Sequence, residues 1–173
     1  MPLRWIDHKD IDDNIDERML ATLYEIDNKS LGGQSSNKAL TASRRKVVKK
    51  SATLKTQLQE INNLAAQQSN KIIAFYSDYD KFLAALSRKM KPNAISVWTL
   101  GNRKVAQQEI FMDKIMVELC QAYNMNLLTS FTRKILNKRM PKLNGYQGEE
   151  KGLQSTMTRE HILIFVRSES ENG

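Results

Sequence analysis

The sequence predicts an α/β fold in which a long helical N-terminal region leads into a mostly parallel sheet that closes with an antiparallel hairpin. Three observations carry this expectation. Apolar residues recur at three-, four- and seven-residue spacing up to Met90. Beyond Pro92, short β-prone runs alternate with one helical stripe, and the last of these runs follows a long basic loop.

Taken in order, residues 8–27 read as a helix, with Ile11, Ile15, Met19, Leu23 and Ile26 on one face and the acids Asp10, Asp12, Asp13, Asp16 and Glu17 off it. Gly32-Gly33 and the polar Gln34–Asn37 then form a flexible turn. From Lys38 to about Gln68, Leu40, Val47, Leu54 and Ile61 stand seven apart with Leu58 and Ala65 between them, which describes one long amphipathic helix. A third helix covers 70–90, with Ile72, Tyr76, Tyr79, Phe82, Leu83 and Leu86 inward; Pro92 stops it and Asn93 suits the turn.

Ala94–Leu100 is almost continuously apolar, as in a strand covered on both faces, and Gly101-Asn102-Arg103 begins a loop. Ile110, Met112, Ile115, Met116, Leu119 and Tyr123 form the next helical stripe, closed at Asn124 or Asn126. Leu127, Thr129, Phe131, Arg133 and Ile135 alternate as a strand, 137–158 is a basic loop, and His161–Arg167 is the last strand. The chain of 173 residues therefore divides into a helical region (1–69), a partial α/β domain (70–167) and a polar tail (168–173).

A net charge of +8 favours a polyanionic partner, though charge alone does not separate DNA from RNA or an anionic membrane. Lys38, Arg44, Arg45, Lys46, Lys49, Lys50 and Lys55 form one run without an acid, and Arg133, Lys134, Lys138, Arg139 and Lys142 form another. Arg44, Arg45, Lys46, Lys49 and Lys50 have two readings: contacts along a phosphate backbone, or a solvated helix face. Lys138, Arg139 and Lys142 likewise read as phosphate or groove contacts, or as an ordinary basic loop. Asn102 and Arg103 fall at the carboxyl end of a strand, the side on which open α/β sheets bind ligands. Arg103 there contacts a phosphate or pairs with a neighbouring acid.

Other classes are excluded. No apolar run is long enough to span a membrane, no apolar signal core follows Met1, and a cytoplasmic protein is expected. The single Cys120 rules out a disulfide framework or a cysteine-rich zinc site and reads as a buried, inert thiol. His8 and His161 have no second ligand at metal spacing, and Asp7, Asp10 and Asp13 lack the pattern of a calcium loop, so no metal is expected. Trp98 and Phe165 read as core rather than as stacking platforms.

From residue 76 onward, six features resemble the tail of amino-methyltransferases that act on adenine N6 or cytosine N4. They are Tyr76-Ser77-Asp78-Tyr79 with Phe82, Lys91-Pro92-Asn93-Ala94, Val97 to Arg103, Met112-Asp113-Lys114-Ile115, Lys138-Arg139-Met140-Pro141, and Met157 to Ile162. They occur in the family's order. The resemblance implies the C-terminal half of a Rossmann-like class I methyltransferase sheet, with three strands and a terminal antiparallel hairpin. The first 70 residues match less clearly.

Two family features are missing. The glycine-rich turn that approaches S-adenosylmethionine would need a Gly-x-Gly, and none occurs; Pro2, Pro92 and Pro141 are never adjacent, so there is no Pro-Pro-aromatic motif to grip a flipped base. No residue is therefore assigned to catalysis or to the cofactor. The resemblance implies part of a site-specific DNA methyltransferase that is inactive alone. It would bind S-adenosylmethionine only with a second polypeptide carrying the two missing motifs, and its Ile95–Leu100 strand would be an unpaired edge when isolated. Two rival readings are a piece of an RNA amino-methyltransferase and a non-catalytic basic nucleic-acid-binding protein.

Overall fold

The computed structural model describes residues 46–135, 143–145, 153–155 and 158–168, together with Thr22, Glu25, Ile26, Lys29 and Leu31. Of the predicted acidic helix, Thr22, Glu25, Ile26 and Lys29 are helical, and Lys29 pairs with Glu25 one turn away at 2.5 Å. The remainder of that helix, the Gly32-Gly33 turn, and Arg44, Arg45, Lys138, Arg139 and Lys142 lie outside the described residues.

The long amphipathic helix is divided. Residues 46–50 are helical, Ser51 turns extended (φ −136°, ψ 110°), and α1 spans Ala52–Leu64. Ser51 is the break because its hydroxyl accepts from the Leu54 amide at 3.0 Å, an N-cap that starts a new helix. Ala65, whose backbone leaves the helical region (φ −157°, ψ 83°), separates α1 from α2 (Ala66–Lys89). The seven-residue stripe survives these breaks, and Val47, Leu54 and Ile61 are all buried. On α2, Ile72, Tyr76, Tyr79 and Leu83 are buried as predicted, whereas Phe82 is 43% exposed at the rim, where its ring meets Tyr79 and Trp98.

Three strands form the main sheet: β1 (Ile95–Leu100), β4 (Met125–Lys134) and β7 (Arg159–Arg167). Their order is β1-β7-β4, with β7 antiparallel to both neighbours. β1 and β4 therefore run parallel to one another, linked through α3 (Met112–Gln121), and the last strand is inserted between them. Both hydrogen-bonded pairs are thus antiparallel, where a mostly parallel sheet was expected. Asn93 (φ 62°) makes the turn into β1, and Asn124 (φ 55°) closes α3, as their tolerance of the left-handed region suggests.

Two small hairpins depart from the sequence reading. Gly101-Asn102-Arg103 leads into β2 (Arg103–Val105) and β3 (Gln108–Ile110), and the segment predicted as basic loop contains β5 (Leu143–Gly145) paired with β6 (Leu153–Ser155). The β2–β3 turn places Ala106 (φ 48°) and Gln107 (φ 63°) in the left-handed region, where Asn-Gly would be usual, so the sequence carries no turn signal there.

The helices cover one face of the sheet. Phe165 and Leu163 of β7 and Leu100 of β1 share a core with Leu54, Ile61, Tyr76, Leu83, Ile115, Met116 and Leu119. That core joins the helical region to the sheet, and α2 runs continuously through positions 69 and 70. Trp98 sits at its margin, with its ring edge-on to Tyr79 and Phe82. On the other face Ile162 is buried but Ile95 and Val97 of β1 are exposed, so β1 is not the doubly covered strand that its apolar run suggested.

Candidate functional site

The carboxyl end of β1 gathers polar side chains from several elements. Asn102 accepts from the Asp113 amide at 3.3 Å, capping α3, whose own N-cap residue Phe111 offers no side-chain acceptor. Gln57 of α1 completes the cap: its amide oxygen accepts from the Phe111 N–H at 3.1 Å, and its NH2 donates to the Glu109 carbonyl at 2.6 Å. Asn102 therefore fixes the β1–α3 junction, and Arg103 is exposed as the first residue of β2.

Asp113 lies under this junction. Its Oδ2 is 3.5 Å from Nδ1 of His161 in β7, while its buried Oδ1 has no hydrogen-bond partner among the described residues. Tyr76 reaches the same place from α2. Burial raises its phenol well above the ordinary value; the Arg103 cation opposes this and the Asp113 carboxylate adds to it. Tyr76, Asn102, Arg103, Asp113 and His161 thus form one cluster with an outward guanidinium and a spare carboxylate oxygen. Such an arrangement suits a phosphate at Arg103 and a hydrogen-bond donor at Asp113.

Only Asn102 and Arg103 of this cluster are legible as site residues in the sequence. Asp113 and His161 lie 48 positions apart by their numbering, and no spacing rule connects them. The only available signal is that each falls within one of the segments that resemble methyltransferases.

The basic run separates by direction. Lys46 and Lys49 are exposed, whereas Lys50 turns inward, donating to both carboxylate oxygens of Asp80 at 2.8 Å and to the Tyr123 hydroxyl at 2.5 Å. Burial pulls the Lys50 ammonium down, but the hydrogen bonds and charges of Asp80 and Tyr123 outweigh it and leave its pKa raised. Beside it, the Glu118 carboxylate accepts from the Ser51 hydroxyl, and from the Thr53 hydroxyl at 2.8 Å and amide at 3.2 Å. An anion thus sits at the N-terminus of α1. Together these contacts hold the end of the basic segment against α2 and α3.

The described residues form the expected mixed α/β arrangement of helices and a three-stranded sheet. Over 162 residues, 94% of its length, the chain is 33% identical to the Type II methyltransferase M.MvaI of Kocuria varians. It spans 34% of that protein, so nearly the whole chain is related to about one third of a methyltransferase. The similarity reaches well into the first 70 residues, where the motifs alone were less clear. No family model matches the chain, and no solved structure matches it.

Proposed function

We propose that this chain is part of a site-specific DNA methyltransferase that moves a methyl group from S-adenosylmethionine to an exocyclic base amine. The observation that carries the reading is the similarity, along 94% of the chain, to a third of a Type II methyltransferase. The topology is compatible with it: β1 and β4 are parallel and connected through α3, and the last strand, β7, pairs antiparallel with β4 as a terminal antiparallel hairpin requires.

The residues present do not form a seat for the methyl donor. No Gly-x-Gly occurs in the 173 residues, and the hairpin that follows β1 carries the side chains of Ala106 and Gln107 at its tip rather than bare backbone. The donor site and the motif that grips the amine are therefore supplied from outside these 173 residues. This chain contributes sheet closure, the wall formed by Asn102, Arg103, Asp113 and His161, and DNA contacts. Lys46, Lys49 and Arg103 face solvent and suit phosphate contact; Arg44, Arg45, Lys138, Arg139 and Lys142 join them as proposed contacts. Lys50 anchors the segment that carries the first of these.

The test is transfer of labelled methyl groups to duplex DNA. The chain alone should give none, and the chain with a polypeptide bearing the two missing motifs should methylate DNA in preference to an RNA competitor. Methylation by the chain alone, or a preference for RNA, would refute the proposal in this form.

A further inference from the structure

Among the described residues, the sheet presents exposed apolar side chains on one face beside an open edge. In register, Ile95 lies opposite Val166, Val97 opposite Ile164, and Thr99 opposite Ile162, which in turn faces Phe131 of β4. These residues stand on the side away from the helical core, because the alternate residues Leu100, Leu163 and Phe165 are the ones buried in it. Ile95 is 64% exposed, Val97 63% and Phe131 54%, with Leu128 at the β4 bulge 55%, whereas on the central strand Ile162 is buried and Ile164 and Val166 are half-buried, so the exposed part of this face lies on its outer strands. β1 pairs only with β7, so the backbone along its other edge is unpaired among the described residues. An exposed apolar strand at an open edge is a surface built for another polypeptide.

We propose that this face and the β1 edge form the docking surface for the polypeptide equivalent to the two thirds of the Type II methyltransferase that the chain does not span. The inference rests on the proposed function and assigns its partner a location. A strand pairs along β1, and an apolar helix covers Ile95, Val97, Ile164 and Phe131. Three features favour this occupant over a second copy. The chain matches 34% of a longer protein, leaving most of that architecture unaccounted for. The exposed Ile95 and Val97 lie on the open-edge strand itself, so one partner covers both. The site cluster at the end of β1 also lies at the same boundary, so a docked partner would bring its own site residues beside Asn102 and Arg103.

The experiment uses the full chain and, as probe, the part of the Kocuria varians enzyme outside the matched segment, produced separately; the matched third of that enzyme serves as positive control. Expected are a one-to-one complex by sedimentation and at least tenfold slower amide exchange across Ile95–Leu100. Val97→Lys should weaken association at least tenfold and Val97→Ile should not. Circular dichroism of both variants alone should match the parent, because Val97 makes no part of the helical core. Self-association through the same strand would overturn the proposal in favour of a second copy. A control that assembles while this chain does not, or a complex that leaves β1 exchange unchanged, would also overturn it. A complex that forms through β1 without methyl transfer leaves the docking surface standing and defeats the methyltransferase reading, whereas methyl transfer by a complex of the two polypeptides that leaves β1 exchange unchanged does the reverse.

Discussion

Lys50 shows how far a side chain can depart from its place in a pattern. In the sequence it is one of seven acid-free cations between Lys38 and Lys55, yet it is bonded to Asp80 and Tyr123, 30 and 73 positions away. Asp80→Ala should cost on the order of 2 kcal/mol, because it leaves a half-buried ammonium without its carboxylate. The check is the shift of the urea midpoint at unchanged slope. Ser51→Ala removes both the N-cap of α1 and a donor to Glu118 and should cost about 1–2 kcal/mol, measured in the same way. Cys120 is fully buried, and burial raises its thiol from the ordinary 9.0 to about 12. It should resist iodoacetamide at pH 8 in the native protein and react promptly in denaturant. Rapid native labelling would contradict its place in the core.

The main helices and strands follow from periodicity, and their boundaries follow from polar contacts. Three strands and the α3 stripe stand where alternation and three-to-four spacing put them. The break at Ser51 was hidden because the apolar stripe continues through it: Val47 and Leu54 remain buried on either side. The β2–β3 hairpin was hidden for the opposite reason, since Ala106-Gln107 lacks the usual residues for two successive left-handed conformations. Ala106→Asn with Gln107→Gly should therefore stabilise the protein by about 1 kcal/mol, because both replacements accept positive φ with less strain. A rise in melting temperature of roughly 2–4 °C is the expected readout, and a fall would mean that the turn is held by contacts of those two side chains.

One core joins the helices to the sheet, and its titrating groups give it a direction in pH. Cys120, Tyr76 and Tyr79 all have raised pKa values, chiefly through burial, so the folded chain keeps protons that the unfolded chain gives up. Their stabilising contribution is complete below the ordinary thiol and phenol values of 9.0 and 10.0 and is lost as pH rises past them. Denaturant midpoints should fall steadily above about pH 9 and change little between pH 7 and 8 from these groups. A midpoint that rises between pH 9 and 11 would contradict the burial of all three. The same molecule leaves Ile95, Val97 and Phe131 in water, and burial of one such side chain is worth about 1.5–3 kcal/mol. Thermal stability should therefore increase on binding any partner that covers them.

The amino-acid order alone was enough to reveal the α/β class, the three strands, the inert thiol, the basic run and the resemblance to methyltransferases, because each is written in residues near one another in the chain. Folding added what distance in the chain conceals. It inserted β7 between β1 and β4, turned Lys50 inward, gathered Tyr76, Asp113 and His161 beside Arg103, and left Ile95 and Val97 exposed on the second sheet face. Each of these depends on which side chains meet across the packed core, and spacing along the chain does not encode such meetings.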